Sequence, residues 1–212
     1  MAERRSACYD LERSPRIGER MAPFDFIILF FSFIYTLGLT HILFAATRMV
    51  RHRRGLIFSW PHALWMFNAL MLLIANWISL YDFHRQEVMP IATIATGVLF
   101  SFAQYFICAL VSPDFDDGET LDLRTFHDRE GRTYITAFAL LILLALVVNT
   151  AATFGAGVEN WGRQNAIVLA MLPAALTPLF VKARWAQLSG PLVVAILLVI
   201  FIPLFYPVLA KG

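Results

Sequence analysis

Six stretches of this chain contain no Asp, Glu, Lys or Arg: 26–46, 55–81, 88–113, 133–158, 164–181 and 186–210. A helix needs about 20 mostly apolar residues to cross a bilayer, and all but the fifth stretch reach that length. The fifth also carries Pro173 and Pro178. Backbone groups freed at those prolines have to be satisfied by neighbouring helices, so this segment is expected to be kinked and enclosed by protein. Hydrophobic residues make up 59% of the chain and charged residues 15%, against about 45–50% and about 25% in soluble domains. That excludes an ordinary soluble enzyme, a disordered chain and a coiled coil. The expected fold class is all-α: a polytopic membrane helix bundle with six transmembrane helices in a single domain, 23–212.

Orientation follows from the excess of Lys and Arg in cytoplasmic loops. Arg48, Arg51, Arg53 and Arg54 fall between spans 1 and 2, Arg124, Arg129 and Arg132 between spans 3 and 4, and Lys182 and Arg184 between spans 5 and 6. The other connections and the C-terminus hold only Arg85, Arg163 and Lys211. The three odd hairpin loops are therefore expected inside and both termini outside. Arg4, Arg5, Arg13, Arg16 and Arg20 conflict with that frame. Met21 stands directly before the first span, and residues 1–22 read as a disordered extension or a mis-assigned start. Trp60 and Trp185 at one boundary, and Trp77, Tyr81 and Trp161 near the other, suit the interfacial preference of aromatic rings. Ser59-Trp60-Pro61 reads as a helix start, with a hydroxyl cap and a first-turn proline.

No carboxylate or cationic side chain lies deep in any span, which argues against a carboxylate-driven pump. The neutral polar residues form stripes instead. At 100° per residue, Thr93, Thr96, Gly97, Ser101, Gln104 and Cys108 share a face of span 3, and Trp65, Asn68, Asn76 and Ser79 share one of span 2. In span 1, Ser32, Tyr35, Thr36 and Thr40 lie on one side, with Gly38, His41, Ala45 and Arg48 on another. Span 6 is almost wholly apolar and is expected to face lipid. His41, Asn68 and Gln104 fall at one level, roughly 7–12 Å inside the cytoplasmic boundary. With Thr40 and Ser101 they form a candidate polar layer. It would line a vestibule, or it would serve as hydrogen-bonded glue between helices.

Other motifs are weaker. Haem ligation needs two inward histidines at matched depth, and His41, His62 and His84 do not supply them well. Asp114, Asp116, Asp117, Glu119 and Asp122 surround Gly118, but glycine falls at position 5 of the loop and Thr125 at position 12, which breaks the helix–loop–helix calcium pattern. The acidic loop can instead pair with Arg48, Arg51, Arg53 and Arg54 or dock a basic partner, so those arginines with Asp114, Asp116 and Asp117 form a candidate cytoplasmic interaction surface. Cys8 and Cys108 show no pairing or metal spacing. Ala151-x-x-x-Gly155 and Ala152-x-x-x-Ala156 permit close helix approach. No catalytic motif and no cofactor is expected, and the net charge of +2 gives no reason to expect nucleic acid.

The run from Leu37 to Trp65, with Gly38-Leu39-Thr40-His41, Arg51-His52-Arg53-Arg54 and Ser59-Trp60-Pro61-His62, resembles an uncharacterised family of bacterial polytopic inner-membrane proteins, as does Asp122-Leu123-Arg124. The resemblance implies a bacterial inner-membrane location and no particular activity. Two functional classes follow from the residues. One is a small channel or facilitator for a neutral or weakly charged solute, through the Asn68–Gln104 layer. The other is an accessory or assembly subunit with a membrane-protein partner or a second copy. A haem-binding protein is a remote third.

Overall fold

The computed structural model describes residues 23–83, 90–114, 122–153 and 158–205. Each apolar stretch becomes a helix because, without water, only intrasegment hydrogen bonds can satisfy the backbone. The helices are α1 Pro23–Arg51, α2 Trp60–Phe83, α3 Ile91–Val111, α4 Leu123–Thr153, α5 Val158–Phe180 and α6 Arg184–Phe205, with a 3₁₀ turn at Arg53–Gly55 after α1. The extension 1–22 lies outside the described residues.

Contacts between helix ends fix the arrangement. The α1–α2, α3–α4 and α5–α6 connections lie at one end of the bundle. There Leu123 N–H donates to the Ile57 carbonyl at 3.0 Å, Arg124 Nε to the Phe58 carbonyl at 3.3 Å, and Gln187 Nε2 to the carbonyls of Pro178 and Val181. At the other end, Trp161 at the start of α5 donates to the Thr150 hydroxyl at the end of α4, and Asn149 donates to Asn165. We call the first end the arginine end.

One face of each helix is buried and the other is apolar and open. Phe31, Ile34, Tyr35, Ile42 and Ala45 of α1 are buried, while Phe33, Leu37 and Phe44 are exposed. On α3, Ser101, Gln104 and Cys108 are buried and Leu99, Phe106 and Leu110 exposed, as the polar stripe predicts. Among the described residues five helices are long and apolar enough to cross a membrane: α1, α2, α3, α4 and α6.

Two expectations change. Helix α5 holds Pro173 and Pro178 inside it, but it is not enclosed. It packs between α4 and α6 and leaves Leu169, Ala170, Pro173 and Phe180 exposed, because two neighbours cover only part of a helix. Helix α6 is not merely lipid-facing. Its Ala186, Gly190, Pro191, Val194, Ala195 and Leu198 are buried, against α2 and α5. Small residues permit that approach: a Cβ on Gly190 would lie 2.6 Å from Pro178 Cγ and 2.8 Å from the Ala174 carbonyl oxygen.

Candidate functional site

The predicted layer divides. Asn68 and Gln104 are both fully buried, but they serve different helix contacts. Asn68 Nδ2 donates to the Pro191 carbonyl of α6 at 2.9 Å. Gln104 Nε2 donates to the Ala69 carbonyl of α2 at 3.2 Å, and its Oε1 accepts from Asn76 Nδ2 at 3.0 Å. Asn68 and Ala69 are adjacent on α2 and so point about 100° apart, one toward α6 and one toward α3. Ser101 is buried and donates to the Gly97 carbonyl of its own helix. Thr40 is exposed and donates to the Thr36 carbonyl, so it is not in the layer.

His41 is not there either. The buried arc of α1 runs through Phe31, Ile34, Tyr35, Gly38, Ile42 and Ala45, and His41 stands at its rim. At Gly38 the helices approach so closely that a Cβ would sit 3.2 Å from Leu73 Cδ1 and 3.4 Å from Cys108 Sγ, which leaves no room for an imidazole. The ring turns outward and lies edge-on to Tyr105 of α3, with centroids 5.5 Å apart. Nε2 is 3.4 Å from the Tyr105 hydroxyl, long for a hydrogen bond. Because α1 continues to Arg51, ten residues beyond His41, the ring lies about 15 Å from the arginine end of the helix.

A second polar cluster was not anticipated from the sequence. It lies at the arginine end, where α2, α4 and α6 meet. His62 is fully buried. Its ring stands edge-on to Phe126 and Tyr134 of α4. Trp65, one turn on, stands edge-on to Tyr134 and Phe138. His127 Nδ1 shares a hydrogen bond with the Tyr134 hydroxyl, and its Nε2 lies 3.3 Å from Gln187 Oε1 of α6. Within this packing, both ring nitrogens of His62, Nε1 of Trp65 and Oδ1 of Asn68 are buried without a hydrogen-bond partner. Each such group costs about 1–3 kcal/mol relative to a satisfied one.

The cluster escaped notice because α4 begins ten residues before its charge-free stretch. Leu123, His127, Gly131 and Tyr134 are buried, while Arg124, Asp128, Arg129 and Arg132 are exposed. That four-then-three spacing was the available signal. Asp122 caps this helix. Its Oδ1 accepts from the backbone N–H of Arg124 and Thr125, and its Oδ2 from the Thr125 hydroxyl. The bonds from Thr125, then those from Arg124, hold its carboxyl below the ordinary value.

On the predicted cytoplasmic surface, Arg51, Arg53, Arg54 and Asp114 are exposed and Arg48 is half-buried, its guanidinium 5.6 Å from the centre of the Phe44 ring. Asp116 and Asp117 lie outside the described residues. The described tie between the α1–α2 and α3–α4 connections runs instead through the Ile57 and Phe58 carbonyls. Cys108 is a free, buried thiol. No group of three or more His, Cys, Asp or Glu side chains among the described residues is placed to hold a metal.

Long helices with apolar outer faces and polar side chains bonded between them define an integral, multi-pass membrane protein. Comparison with protein-family models, curated proteins and solved structures gave no match.

Proposed function

We propose that the protein is an interaction subunit of a larger membrane assembly. The observation that carries this reading is the outward placement of His41 beside Tyr105. Ionisable side chains within spans almost always face a bundle interior or a watery cavity, because hydrocarbon satisfies none of their hydrogen bonds. A histidine within the span on an open face is therefore suited to a partner helix that brings a polar side chain to the same level. Leu37 and Phe44, about one turn to either side, are exposed and would supply the apolar rim. The exposed Arg51, Arg53 and Arg54 extend the contact into the aqueous phase. Their loop is cytoplasmic by the arginine bias, and a bacterial inner membrane follows from the resemblance in the sequence.

Photo-crosslinking from position 37 or 44 in native membranes tests this. A discrete protein adduct, lost in His41→Leu, is expected. Adducts with lipid alone, unchanged by His41→Leu, would overturn it. The adduct's mass separates a second copy of this chain from another protein.

A facilitator for a small neutral solute is the second reading, favoured by the unpartnered polar atoms on α2. Solute flux into liposomes containing the purified protein tests it.

A further inference from the structure

We propose that the α1–α2 connection is a docking surface for acidic phospholipid headgroups, continued by the α5–α6 connection at the same end of the bundle. This goes beyond the partner reading, which is carried by His41 and tested from positions 37 and 44, and neither depends on the other.

Between α1 and α2 the exposed side chains are of two kinds. Arg51, Arg53 and Arg54 are exposed cations, and Ile57, Phe58 and Trp60 are exposed apolar groups. Water suits the second kind poorly, since apolar surface left in it costs about 25 cal/mol for each Å². Nor is the apolar ridge loose. The rings of Phe58 and Trp60 meet edge-on, with centroids 5.0 Å apart. The backbone beneath them is tied to α4, with Leu123 N–H donating to the Ile57 carbonyl and Arg124 Nε to the Phe58 carbonyl. A fixed ridge of rings beside a row of guanidinium groups suits a membrane interface, with the rings at headgroup level and the cations among the phosphates.

Charge decides which lipid. No Asp or Glu stands between Asp25 and Asp82, so the connection carries no counter-charge of its own. Among the described residues no acidic side chain is ion-paired with Arg51, Arg53 or Arg54. Asp122, nearby at the start of α4, is occupied with Arg124 and Thr125. Arg124 is exposed and, held at the Phe58 carbonyl, adds a further cation. The α5–α6 connection repeats the composition, with exposed Lys182 and Arg184 set between exposed Phe180 and Trp185. A guanidinium pairs its fork of N–H groups with phosphate oxygens. A zwitterionic lipid offsets that phosphate with its own cation, whereas an acidic one presents net negative charge, so the surface selects the acidic lipid.

Native mass spectrometry of the full-length protein, given equal phosphatidylglycerol and phosphatidylcholine, counts the lipids retained. Phosphatidylglycerol should be retained in excess, and the excess should shrink as ammonium acetate is raised, because salt screens exposed charges. Each basic residue near an acidic surface strengthens attachment about fivefold. The triple variant Arg51→Gln, Arg53→Gln, Arg54→Gln should therefore lose phosphatidylglycerol binding by about tenfold or more, with phosphatidylcholine binding and Tm unchanged. Arg163→Gln, at the opposite end of the bundle, should leave the preference intact. If the triple variant does not fold, the double variant Lys182→Gln, Arg184→Gln reads the same preference from the second connection. Equal retention of the two lipids by the wild-type chain overturns the proposal and leaves the arginines to a protein partner. So does a preference that survives the variants, or one lost equally in Arg163→Gln. Displacement of phosphatidylglycerol by inorganic phosphate at matched ionic strength also overturns it, since that marks a site for a small free anion.

Discussion

Asn68 of α2 and Pro191 of α6 are joined by a 2.9 Å hydrogen bond across 123 residues of chain. The carbonyl has a second lone pair beyond the one used inside its helix, and Asn68 fills it. Asn68→Leu should therefore lower stability by about 0.6–1.7 kcal/mol, the range for interhelical polar contacts in membranes. Asn68→Asp should lower it further, because it loses the donor and sets an acceptor against the carbonyl. Thermal melts in one detergent check the order.

Gln104 offers a cleaner measurement, since it bonds both Ala69 and Asn76 of α2. Gln104→Leu and Asn76→Leu each strand a polar partner. The double variant removes the side-chain pair together and should be less destabilised than the sum of the single variants, by about 0.5–1.5 kcal/mol. A double-mutant cycle of unfolding free energies gives the coupling directly.

Glycine substitutions should rank by what their Cβ meets. Gly190→Ala drives a methyl to 2.8 Å from the Ala174 backbone oxygen and 2.6 Å from a proline ring, neither of which can swing aside. It should cost about 1–3 kcal/mol. At Gly38 the nearest atom is Leu73 Cδ1 at 3.2 Å, the end of a flexible side chain, and Gly38→Ala should cost less. Melting temperatures of the two variants decide the order.

For the isolated protein, His41→Leu should be nearly silent, within about 0.5 kcal/mol, as surface substitutions are. An inward histidine would give a loss of about 1–2 kcal/mol. The same variant, compared in purified protein and in native membranes, separates folding from assembly.

Asp122 sets a pH dependence whose direction is fixed. Its folded carboxyl is held below its ordinary value of 3.8 by bonds from Thr125 and Arg124. The stabilisation it gives α4 is therefore complete above that ordinary value and is lost as pH falls through the lower, folded one. Amide protection at Arg124 and Thr125 should drop over that acid range. Asp122→Asn, which keeps the accepting oxygen, should show no such drop, and Asp122→Ala should be unprotected throughout.

Much of the architecture was legible in the sequence because lipid leaves a chain few options. Charge-free runs marked the helices, Ser59-Trp60-Pro61 marked the start of α2 at Trp60, and the polar stripe of α3 predicted that Ser101, Gln104 and Cys108 are buried. The side chains that meet were harder to foresee. His41 shares a helix stripe with Gly38 and Ala45, yet the close approach at Gly38 pushes its larger ring to the rim. Of the partners of His62, Phe126 lies in the charged first turn of α4, outside any apolar run, and Tyr134 only at the edge of one. The fully buried Asn68 faces α6, the helix with the least polar sequence, because a backbone carbonyl can accept a hydrogen bond whatever side chain accompanies it.

The span between Asn68 and Pro191 also sets a schedule for biogenesis. At about 5–20 residues per second, the ribosome needs about 6–25 s after completing Asn68 to supply its acceptor. During that interval the face of α2 bearing His62, Trp65 and Asn68 has left the ribosome while α6, which buries part of it, has not yet been made. A chain truncated after α5 would keep the Asn68 side of that face uncovered permanently while His62 and Trp65 still pack on α4, which makes it a natural substrate for membrane proteolysis.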